Sequence, residues 1–113
     1  MTARSWMLPE ELRQLADSGE TGLVEEVLGV FQTDTAARVE DMRAASAAAD
    51  RATLRTQAHA LKGSSAQVGA LALADICKTL EDTALHAPPP ELAELVARID
   101  REFQDVCRQM RQE

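Results

Sequence analysis

Tyrosine is absent from this chain of 113 residues, tryptophan occurs once and phenylalanine twice. Strands draw on aromatic and β-branched side chains, so a β-sandwich or barrel is a poor fit. Cysteine is nearly absent too: Cys77 and Cys107 are too few for a disulfide framework at this length, and both fall on apolar helical stripes, where reduced core thiols belong. Positive charge is in deficit, with 12 Lys and Arg against 19 Asp and Glu, a net charge of −7. Such a surface repels phosphate backbones and anionic lipid, which excludes nucleic acid and membrane as expected partners. No apolar run is long enough for a bilayer, and the N-terminus lacks a signal-peptide pattern, so a cytoplasmic location is expected. Two histidines and two cysteines without ligand spacing make no metal site. A phosphate-binding G-x-x-x-x-G-K-[ST] loop and a G-x-S-x-G elbow are both missing, which disfavours a nucleotide-driven enzyme and a hydrolase built on Ser64 or Ser65 with His59. No cofactor is expected on the chain.

What is there is 45% hydrophobic, rich in Ala and Leu, and long enough for one domain over 1–113 with a core over roughly 8–110. Pro9, Glu10 and Glu11 open a short helix carrying Leu8, Leu12 and Leu15, and Asp17-Ser18-Gly19 ends it. The spacing of Val24, Val27, Leu28, Phe31, Thr35, Val39, Met42 and Ala45 predicts a long helix over about 22–49. Asp50 is placed to cap the next helix, whose seam is Leu54, Ala58, Leu61, Ser65 and Val68. Gly69 breaks the chain before a stripe of Leu73, Ile76, Cys77, Leu80 and Ala84. Ala87-Pro88-Pro89-Pro90 is expected to be a rigid linker, followed by a helix with Leu92, Leu95, Val96, Ile99, Phe103, Val106 and Met110 on one face. The expected fold is all-α: a short N-terminal helix and four longer ones, antiparallel where connections are short.

Beside the seam of the helix over 51–66 lies a second stripe, Arg55, His59, Lys62, Gly63 and Ala66. His59 follows Ala58 by one position, about 100° around the helix, so it is expected at the seam's edge or outside it. A glycine inside a helix costs about 1 kcal/mol relative to alanine, and Gly63, one turn after His59, therefore calls for a compensating gain. Space beside the imidazole for a phosphoryl group and a partner's backbone is the simplest one. Lys62 adds a cation and Ser64 a hydrogen-bond donor. Residues 51–80 hold Arg51, Arg55, Lys62 and Lys78 against a single acid, Asp75, a basic patch in an acidic chain. His86, before the prolines, reads as a surface residue.

The string Ala58-His59-Ala60-Leu61-Lys62-Gly63-Ser64-Ser65-Ala66-Gln67-Val68-Gly69-Ala70 resembles the signature of histidine-containing phosphotransfer (HPt) domains, H-x-L-K-G-S-[SA] followed by G-[AL]. With helix order and length, the resemblance extends over roughly 8–110. It implies an up-down antiparallel four-helix bundle with a short extra N-terminal helix and an exposed histidine on the second bundle helix. His59 would accept a phosphoryl group from a receiver-domain aspartate or a sensor (hybrid) histidine kinase and pass it to another response regulator. Lys62, Gly63 and Ser64 would shape and neutralise its surroundings, with Arg55, Ala66 and Gln67 facing the partner. The Mg²⁺ would sit on the partner's receiver domain, and the protein would be a monomeric carrier with no nucleotide site. One further residue follows from geometry: with the turn centred near Ala70, His59 lies 11 residues before it and Glu81 lies 11 after. In an antiparallel hairpin the two stand level, and the family commonly has a glutamate or glutamine there. Glu81 could accept the Nδ1 proton, fix the tautomer and leave Nε2 as the nucleophile. The alternative function is a helical bundle that binds a receiver or kinase domain without phosphotransfer.

Overall fold

The computed structural model describes residues 4–112, and among them five helices and no strand are present. They are α1 (Glu10–Asp17), α2 (Thr21–Ala47), α3 (Arg51–Gln67), α4 (Leu71–Thr83) and α5 (Pro89–Gln112). α2 packs on α3 and α5, and α4 packs on the same two, so these four helices form a closed ring around a shared core. α1 lies outside the ring against α2 and buries no residue completely, so its Leu8, Leu12 and Leu15 stripe is only half-buried.

The helix ends follow from local chemistry. Pro9 precedes α1, and Glu10 and Glu11 sit in its first turn, where the helix dipole favours acids. The Asp50 side chain accepts the Thr53 N–H at 3.1 Å and starts α3. α3 stops in a Schellman turn in which Gly69 N–H bonds to Ala66 O and Ala70 N–H to Ser65 O. Gly69 has φ +87°, and a Cβ there would overlap the Met7 carbonyl oxygen, so both conformation and space demand glycine. Ala49 ends α2 in the same kind of turn at φ 55° without that freedom.

The seam on α3 is buried at every expected position: Leu54, Ala58, Leu61, Ser65 and Val68. Phe31 of α2 meets Phe103 of α5 edge-on, ring centroids 6.1 Å apart. Both cysteines are buried and unpaired, and burial pushes the Cys77 thiol up to about 12, which leaves it unreactive at neutral pH.

Three expectations need correction. Val27 is solvent-exposed, because with Leu23 and Val30 it lies on the outer side of α2. The proline run is not a linker throughout: α5 begins at Pro89, with Leu92 N–H bonding to Pro88 O. Its first-turn N–H groups have no intrahelical acceptor, so proline loses nothing there. The core also begins earlier than residue 8. Trp6 is 2% exposed, its indole Nε1–H donates to Val68 O at 2.7 Å, and the backbone N–H groups of Ser5 and Trp6 donate to Gln109 Oε1. The N-terminal segment thus closes the end of the ring where α3 turns into α4.

Candidate functional site

α3 and α4 form a hairpin through Gly69 and Ala70, and that hairpin builds the site. Leu61 and Leu80 are buried in the core, and the tightly packed hairpin sets the outer edges of the two helices side by side. His59 projects from the middle of α3 with a side chain that is 70% exposed. Its Nδ1 lies 2.6 Å from Glu81 Oε2 of α4, and Lys62 Nζ lies 2.6 Å from the other carboxylate oxygen, Oε1. One carboxylate therefore clasps two side chains one turn apart on the facing helix. Glu81 itself is largely covered, with 17% of its side chain exposed.

The Lys62 ammonium first, and the His59 ring second, hold the Glu81 carboxyl below the ordinary carboxylate range. An ionised carboxylate only accepts hydrogen bonds, so Nδ1 carries the proton in this pair. In the neutral ring that arrangement leaves the lone pair on Nε2, and no residue among those described contacts this nitrogen by hydrogen bond.

The remaining stripe is open. Arg55, Gly63 and Ala66 are exposed, as is Gln67 beside them. A Cβ on Gly63 would meet nothing within 4 Å, so this glycine is not a close helix–helix contact. Ser64 stands apart from the imidazole. Its hydroxyl donates to Leu61 O at 3.3 Å, and the residue lines a groove between α2 and α3 with Val30, Asp34, Arg38 and Gln67.

The basic patch is weaker than the charge count implies. Glu81 and Asp82, just past residue 80, neutralise Lys62 and Lys78 respectively. Arg51 turns away and donates to the carbonyls of Ala84 and Ala87, so it holds the α4–α5 connection. Arg55 is left beside His59, lining a shallow cleft with Glu81, Asp82, Leu85 and His86. His86 is exposed, as expected of a surface residue, and the turn after α4 brings it to the rim of this cleft. Among the described residues no group of His, Cys, Asp and Glu could hold a metal ion, and no helix is long and apolar enough to cross a membrane.

A helical bundle that offers a single buttressed imidazole to solvent has the architecture of a histidine phosphocarrier. The Hpt domain model matches residues 26–113, and the chain belongs to this family. Its fold is similar to the crystal structure of histidine-containing phosphotransfer protein B (HptB) from Pseudomonas aeruginosa PAO1. The TM-score is 0.83 at 31% sequence identity, covering 98% of this chain and 95% of that chain. No match was found among curated proteins.

Proposed function

We propose that His59 is the residue on which this phosphorelay histidine phosphocarrier holds its phosphoryl group. The observation that carries the reading is the Nδ1–Glu81 hydrogen bond at 2.6 Å on an otherwise exposed ring. Nε2 attacks the phosphorus of an aspartyl phosphate on a receiver domain, or of a phosphohistidine on a kinase. The N–P bond forms as the P–O or P–N bond to the donor breaks, and the donor's carboxylate or imidazole leaves with the electron pair. Transfer to the next response regulator is the same step reversed onto its aspartate.

Each neighbour has a role. Glu81 orients the ring, and Lys62 balances the carboxylate and faces incoming phosphoryl oxygens. Gly63 leaves room for the partner's loops, and Ser64 stays small at the edge of that approach. Arg55, Ala66 and Gln67 lie on the surface the partner covers. The receiver supplies the aspartate and the Mg²⁺, so the carrier needs no nucleotide or metal of its own and works as a monomeric, cytoplasmic single domain. The ring of four helices is read as an up-down antiparallel bundle with α1 appended.

The test is transfer from a radiolabelled phosphorylated receiver domain. The wild type takes up a label that is acid-labile and alkali-stable, and His59→Gln takes up none while its helical circular dichroism is unchanged. Equal labelling of His59→Gln overturns the assignment.

A further inference from the structure

The carboxylate at position 81 carries a consequence beyond ring orientation, and it rests on the reading of His59 as phosphoacceptor. In the unphosphorylated ring the proton sits on Nδ1, held at 2.6 Å by Glu81. When Nε2 bonds to phosphorus, an imidazole in water readily gives up the Nδ1 proton. The phosphorylated ring is then a poor donor, because breaking its P–N bond would expel an imidazolate anion. A good leaving group requires Nδ1–H, so that the electron pair returning to Nε2 leaves neutral imidazole.

We propose that Glu81 is a positioning residue that keeps the Nδ1 proton in place throughout the phosphorylation cycle, so that phospho-His59 is always ready to donate. Nδ1–H next to a carboxylate is a charge-assisted hydrogen bond, which favours the protonated ring. Phosphorylation and dephosphorylation then proceed with no proton entering or leaving Nδ1. The N–P bond forms from the Nε2 lone pair and breaks to restore it.

Lys62 strengthens the device. Its ammonium shares the carboxylate in the resting protein, and the new phosphoryl oxygens compete for it. As Lys62 turns toward them, Glu81 is left more fully to Nδ1–H. The other charged groups do not replace this function. On α3, Arg55 adds a cation, which opposes ring protonation. On α4, Lys78 and Asp82 pair with each other at 3.0 Å, and His86, in the turn after α4, lines the same cleft. From α2, Arg38 and Asp41 are engaged with Gln57.

The discriminating variant is Glu81→Gln, whose side-chain oxygen still accepts from Nδ1 but carries no charge. The protein is phosphorylated chemically with phosphoramidate, so no partner is needed, and the loss of phospho-His59 is followed by ³¹P NMR from about pH 6 to about pH 9. His59→Gln identifies any signal from His86. In the wild type the hydrolysis rate stays nearly level across this range. In Glu81→Gln it falls as pH rises, approaching tenfold for each unit, as expected when the reactive protonated form is lost to titration. Glu81→Ala follows the same steep profile. Matching profiles for wild type and both variants overturn the inference while leaving His59 as the phosphoacceptor. A wild type that yields no phospho-His59 signal overturns the inference and the functional reading together.

Discussion

α3 shows two faces that answer to different demands. On one, Leu54, Ala58, Leu61 and Ser65 are buried against the other helices. On the other, Arg55, His59 and Gly63 stand in solvent, with Lys62 at the margin. The first face is chosen for shape and the second for chemistry, and a rotation of about 100° separates Ala58 from His59. The lesson is that the exposed imidazole is held steady by a helix whose rigidity comes from residues on its buried face. Changes on the buried face should alter stability and leave chemistry per folded molecule alone. Changes on the open face should do the reverse.

The largest break in that comparison is Leu61→Ala. Leu61 is fully buried, and truncating such a leucine costs about 2–5 kcal/mol through lost burial and the cavity left behind. Urea unfolding should show a loss in this range, while phosphotransfer by the folded fraction stays at the wild-type rate. Ser65→Ala, also on the buried face, should have a smaller effect of opposite sign. The Ser65 hydroxyl is buried with no hydrogen-bond partner, so removing it should stabilise by about 1 kcal/mol.

On the open face, Gly63→Gln should raise stability by about 0.5–1 kcal/mol, because glutamine is the better helix former and the space around Gly63 is empty. Transfer from a receiver domain should nevertheless fall sharply, since the new side chain stands where the partner approaches. Labelling by phosphoramidate should persist, because that small molecule needs no docking surface. A normal transfer rate would mark Gly63 as merely tolerated.

The smallest effect concerns Glu81 and acid. Its carboxyl is held below the ordinary range by Lys62 first and His59 second. A lowered carboxylate value means that the clasp contributes stability above the unfolded-state value, near 4.3, and loses it as pH falls through the lower folded value. Carbon-detected NMR should find the Glu81 midpoint below the ordinary carboxylate range in the wild type. Lys62→Met should move it upward, since the largest cause is gone.

Much of this was legible beforehand because helical period is a strong signal. The α3 seam followed from spacing, the Gly69 break from glycine's place after a helix end, and the level placement of His59 and Glu81 from equal distances to the turn. What escaped was set by tertiary context. Trp6 lies outside any periodic stripe, and its burial depends on Val68 O and Gln109, which are distant in sequence. Val27 fits the helical period of α2, but it lies where no other helix covers that side. The prolines read as a linker because their tolerance in a first helical turn depends on where the helix begins. The basic patch over 51–80 is offset by Glu81 and Asp82, which follow it in sequence and pair with its lysines across the hairpin and along α4.

The role of the His59–Glu81 pair turns on which ring nitrogen is free. Long-range ¹H–¹⁵N NMR of the His59 imidazole reads this before and after phosphorylation. The expected result is an Nδ1–H ring in the resting protein, shifting in Glu81→Ala, and a phosphoryl group bonded to Nε2. A resting Nε2–H ring, or a phosphoryl group on Nδ1, would contradict it.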